Sequence, residues 1–176
     1  SLGEPFRFGA MLPDLTKIAG VRIDDKAMLP DEVRWGVSLH LRTDEVFHRN
    51  PLFRELRRDA NSDFEQPLGR GAAMVFGHPG LELLLDGLLI SSVDGVQDGF
   101  KAVLGWARYN RVAVVAAANK PGQFDAYLEA FVEHGVPMHY TTPVGVANAL
   151  QRRVAGHPGI AFDEGQAAEA AQLLEK

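Results

Sequence analysis

Residues 31–49 read DEVRWGVSLHLRTDEVFHR, and this stretch decides the fold class. Val33, Val37, Leu41 and Phe47 recur at roughly helical spacing. Asp31 and Glu32 follow Pro30, so two carboxylates stand where a helix presents its positive dipole end. The spacing predicts a helix from Asp31 to Arg49. On its C-terminal side, Leu52 to Ala60 continues as a short basic helix carrying Arg54, Arg57 and Arg58. The polar run Asn61 to Gln66, with Pro67 behind it, predicts a loop.

Gly71 to Ile90 has a broad apolar face of Met74, Val75, Leu81, Leu84, Leu85 and Leu88. Pro79 lacks the amide proton a helix interior needs, so either the helix kinks there or a new one starts with His78 near its N-cap. Gly95–Tyr109 and Phe124–Glu133 read as amphipathic helices, and Gly135 and Pro137 end the second. Thr142-Pro143 introduces a helix from Val144 to Val154, and Glu164–Lys176 is an alanine-rich terminal helix. The β-branched Val112–Ala118 has no second strand of similar quality to pair with, so helix or irregular chain is expected. The expectation is an all-α, single-domain irregular helical bundle over residues 1–176.

Composition agrees with one folded domain: 46% hydrophobic and 23% charged residues over 176 positions. A net charge of -5 argues against a nucleic-acid binder held by phosphate contacts. With no cysteine, disulfides, thiolate nucleophiles and Cys-ligated zinc are excluded, and a cytoplasmic location is expected. Leu81 to Ile90 is interrupted by Glu82 and Asp86 and falls short of the ~20 apolar residues of a membrane helix, so no membrane partner is expected. Ser1 to Gly9 reads as the middle of a longer chain, and a further N-terminal segment is expected upstream.

Chemistry-bearing residues form two stripes. His40, Asp44 and His48 stand at i, i+4 and i+8 of the first helix, and His78, Glu82 and Asp86 repeat that spacing. On one reading these are ordinary solvated pairs. On the other, the two stripes face each other and provide mixed imidazole and carboxylate ligands for a metal. Asp14, after Pro13, reads from composition as a helix N-cap.

The same residues carry a resemblance. The stretch from Gly9 resembles the Gly-Asn-Leu-Leu-Gly-Asp-Phe-Val-Lys-Gly motif of the acyl carrier protein phosphodiesterase family, with Gly9, Leu12, Asp14 and Lys17 in register. Gly36-Val-Ser-Leu-His-Leu-Arg-Thr-Asp44, continuing to Pro51, is similar to that family's Gly-Ile-x-Leu-His-Arg-x-Ile-Asp-x-Phe-Thr-Asp-x-His-Pro segment. Arg70 to Leu89 resembles its next helix with two acids four apart, and Pro143 to Phe162 its closing helix and basic segment. Departures are local: Ile18 replaces the closing glycine, His48 stands where the family has Asp, Asn50 where it has His, and Gly87 where it has His. His78-Pro79 is outside the family pattern.

The resemblance implies a helical relative of the HD-type metal-dependent phosphohydrolases, acting on a small phosphate ester or on acyl carrier protein. Taken together, the two stripes and the resemblance lead to the expectation of a divalent metal (Mn²⁺, Fe²⁺ or Zn²⁺) held by some of His40, Asp44, His48, His78, Glu82 and Asp86. Asp14, Asp44 and Glu82 would be catalytic, and Lys17 and Arg42 would contact substrate phosphate. The alternative is a non-catalytic helical binding or interaction domain that keeps the fold.

Overall fold

Helix α1 (Glu4–Ala19) places Phe8, Leu12, Leu15 and Ala19 on one buried face. The computed structural model describes residues 3–24, 28–154 and 164–175. Among them every regular element is helical, and the only extended pairing is an isolated bridge between Ile23 and Ala118. The fold is all-α. Two compact units share the chain: Ser1–Phe47 with Gly95–Val136, and His48–Asp94 with Pro137–Lys176.

In the first unit α1 packs on α5 (Val96–Asn110) and α7 (Pro121–His134), with the five-residue α6 (Val112–Ala116) between them in sequence. Phe8, Leu12, Val33, Val103, Leu104, Val114, Phe124 and Leu128 form its core. α2 (Asp31–Arg49) crosses α1 where two glycines meet backbone. A Cβ on Gly9 would overlap the Val33 carbonyl, and one on Gly36 the Phe6 carbonyl. Both glycines are therefore required by close approach. The helix has the expected bounds, Asp31 to Arg49.

One expectation is corrected here and one is met. Asp14 is no N-cap: α1 begins ten residues earlier and runs through Pro13, and Asp14 lies exposed in its interior. Leu12 and Leu15, on either side of the imino acid, hold the helix together by burial. Val112–Ala118 resolves into α6 followed by an irregular turn that reaches Arg22–Asp24. The Asp24 amide donates to the Ala117 carbonyl at 3.0 Å and the Asn119 amide to the Arg22 carbonyl at 2.9 Å.

The second unit is built on α3 (Pro51–Val75), a five-residue π-helical turn (Phe76–Gly80) and α4 (Leu81–Ser92). Asn50 caps α3, its Oδ1 accepting from the Leu52 amide at 2.9 Å, with Pro51 in the first turn. The expected loop at Asn61–Gln66 does not exist. Phe64, Leu68 and Ala72 keep one apolar face buried while Ser62, Asp63, Glu65 and Gln66 stay exposed, so α3 continues. The break falls at Gly69, whose φ of 79° is left-handed.

A 3₁₀ turn (Met138–Thr141), α8 (Pro143–Val154) and α9 (Glu164–Leu173) complete this unit over a core of Phe64, Phe76, Val146, Leu150 and Ala170. By length and composition alone the Pro51–Ser92 stretch is apolar enough to cross a membrane, with mean hydropathy 1.4 in its best window. One third of that window is buried inside the protein.

Candidate metal centre

His48 comes from the last turn of α2, His78 from the π-helical turn and Glu82 from the first turn of α4. The three meet within the second unit. Glu82 Oε1 lies 2.9 Å from His78 Nε2 and 3.5 Å from His48 Nε2. The imidazole rings stand edge to face with centroids 4.7 Å apart. Phe53, itself buried, lies edge-on to both rings at 5.5 and 5.7 Å, so one aromatic wall positions both imidazoles. The three side chains are each about one-third exposed, which leaves the cluster open to solvent on one side.

The π-helical turn decides where His78 points. Pro79 cannot donate to the backbone ladder, and Gly77 lies directly under the Asn61 side chain, where a Cβ would overlap Oδ1. The chain therefore widens by one residue over this turn and re-enters α geometry at Leu81, with His78 and Glu82 on one face.

Three ligand atoms, one from each of these residues, lie within 4.8 Å of one another. Among the described residues this is the one such group of three His or acid side chains. A tetrahedral cation with ligands at about 2.0–2.1 Å separates its donors by about 3.3 Å. Two of the three spacings here bracket that value, so two imidazoles and a carboxylate fit a borderline divalent ion.

The stripes therefore engage with an offset: the last member of the first meets the first two members of the second. Asp86 lies one turn beyond Glu82 and is exposed. Its charge falls on Tyr140, whose phenol is pushed above its ordinary range chiefly by burial and then by Asp86, against the opposing pull of Arg152 and Arg153. His40, Asp44, Asp14, Lys17 and Arg42 belong to the first unit. There His40 is half-buried, and the other four are exposed.

Position 87 is closed to a ligand. Gly87 is buried against the 3₁₀ turn, and any Cβ would overlap the Tyr140 carbonyl, so packing demands glycine where the resembled family carries His. Phe53 is the residue that sequence reasoning missed; its signal was the apolar spacing Phe53, Leu56, Ala60 and Phe64 along α3. Compared with known proteins, the chain matches no family model, no curated protein and no solved structure.

Proposed function

We propose that the protein binds one divalent metal ion through His48, His78 and Glu82 and hydrolyses a phosphodiester. The observation that carries this reading is the convergence of both imidazole Nε2 atoms on Glu82 Oε1, at 2.9 and 3.5 Å. Bound there, a Zn²⁺, Mn²⁺ or Fe²⁺ ion supplies Lewis-acid charge and a water that ionises near neutral pH. Glu82 contributes the negative charge that balances the cation. Phe53 holds the two rings in place and excludes water from their far edge. Asp86, one turn further along α4, is the carboxylate assigned to accept a proton from the attacking water. Arg49, next to His48 in sequence, is the cation proposed to meet a phosphate oxygen.

The substrate class rests on the order of motifs shared with the acyl carrier protein phosphodiesterases. A small phosphate ester or a phosphopantetheinylated carrier protein is the proposed substrate, on an HD-like helical scaffold. Metal-loaded protein should turn over bis(4-nitrophenyl) phosphate, and His78→Ala should reduce that turnover at least 100-fold. Wild-type turnover unchanged by His78→Ala contradicts the reading.

A second reading, a non-catalytic interaction domain, has its own support. Trp35, Leu39 and Val46 line one face of α2, and Trp35 and Val46 are 63% and 71% exposed. Metal binding without any ester hydrolysis would favour it.

A further inference from the structure

We infer that a cleft in the first unit, bordered by α1, α2 and the described residues 21–23 and 29 between them, binds an aliphatic carboxylate, with its alkyl chain on the apolar floor and its head group at Lys17. The cleft encloses about 480 Å³, a size typical of small-molecule pockets. Its floor is Leu12, Val21, Ile23, Leu29, Val37 and Leu41, and no aromatic side chain lines it among the described residues. Such a surface gains from contact with a flexible alkyl chain and has no ring on which a flat heterocycle would stack.

Lys17, Arg22 and Arg34 line the cleft, and no acidic residue does among the described residues. Arg34 is engaged by Asp31, and Arg22 stands 4.0 Å from Asp24. Lys17 has no ion pair among the described residues. The two hydroxyls of the lining already donate within their helices, Thr16 to the Pro13 carbonyl and Ser38 to the Arg34 carbonyl, both at 2.9 Å. The donors left to a ligand are therefore cationic, and an apolar body with one anionic end matches them. A phosphate ester without an alkyl chain would leave the floor wet.

This inference is independent of the metal centre, whose three ligands belong to the other unit. The test is titration of the full chain with decanoate below its micelle-forming concentration, read by amide ¹H–¹⁵N shifts and by calorimetry. Saturable binding should move the amides of Leu12, Lys17 and Val37. Hexanoate, octanoate and decanoate should bind progressively tighter, by about ten-fold for each two methylenes. Decan-1-ol, which has the chain without the charge, and the exposed-site variant Lys17→Gln with decanoate should each bind at least ~10-fold more weakly. Leu41→Asp, at a half-exposed lining position, should also lose at least ~10-fold by setting a carboxylate against the ligand's own. Equal affinity for decanol, an unchanged Kd in Lys17→Gln with a native melting temperature, or shifts confined to another region would overturn the inference.

Discussion

Three prolines sit inside helical stretches among the described residues, Pro13, Pro67 and Pro79, and the first and last are treated differently. Pro13 in α1 is absorbed: the helix continues to Ala19, and the cost is the lost hydrogen bond to Gly9. Pro79 is not absorbed, and the backbone widens into the π-helical turn Phe76–Gly80. The residue four before Pro13 is a glycine crossed by α2, and the flanking Phe8, Leu12 and Leu15 are nearly fully buried, so packing enforces regular geometry. Around Pro79 only Phe76 anchors the turn by burial, and Gly77, His78 and Gly80 add no large apolar side chain. The irregular turn is the one that carries a metal-ligand candidate. Backbone deviation is tolerated where polar side chains must be aimed, as π-helical turns elsewhere suggest.

The largest expected effect is at the crossing that enforces order around Pro13. Gly9→Ala places a methyl in the Val33 carbonyl, a backbone group that cannot rotate away, and should cost about 3 kcal/mol or more in urea unfolding. A loss under 1 kcal/mol would mean that α1 and α2 do not cross so closely. Gly77→Ala overlaps chiefly the movable Asn61 side chain, with the Asn61 backbone nitrogen at 3.1 Å, so about 1–2 kcal/mol is expected. Adding Asn61→Ala should recover most of that loss, and a double-mutant cycle without coupling would break the assignment.

The prolines themselves give the next contrast. Pro13→Ala restores a helical donor and should stabilise the protein by about 1 kcal/mol, with metal affinity unchanged. Pro79→Ala should let the π-helical turn relax toward α geometry and weaken metal binding about ten-fold, measured by competition with a chelating dye. Equal metal affinity in the two variants would remove the functional half of the comparison.

The smallest effect is at Tyr140. Its folded pKa is raised from the usual 10.0, so the folded state favours the neutral phenol and the unfolded state ionises first. The stability tied to this difference is complete below pH 10 and is lost as pH rises through the folded pKa. Tyr140→Phe should flatten the decline of melting temperature above pH 10, without changing its course below pH 9. An identical alkaline decline would contradict the assignment.

The extent of α2 was readable because both ends carry strong signals, Pro30-Asp31-Glu32 at one and Asn50-Pro51 at the other. The continuity of α3 was not. Phe64, Leu68 and Ala72 are separated by polar residues whose outward placement a loop-minded reading takes for a break. Asp14 misled for a related reason, since Pro13 resembles a helix start unless the burial of Phe8 and Leu12 before it is known. Both His/acid stripes were visible as spacing, but which members meet was not. A 3.6-residue period gives no warning of a π-helical turn, and the offset that joins His48 to His78 and Glu82 arises there. Gly87 shows the same limit, because an aligned motif reads it as a lost ligand while the packing against Tyr140 makes it a required glycine.

His48, His78 and Glu82 are proposed to hold one cation together. Equilibrium dialysis of the full chain against Zn²⁺ or Mn²⁺, followed by elemental analysis, tests this most directly. One tightly held divalent ion per wild-type chain is expected, falling to background in both His78→Ala and Glu82→Ala and retained in Lys17→Gln. A wild-type chain that retains no ion, or a His78→Ala variant that retains as much as wild type, would contradict it.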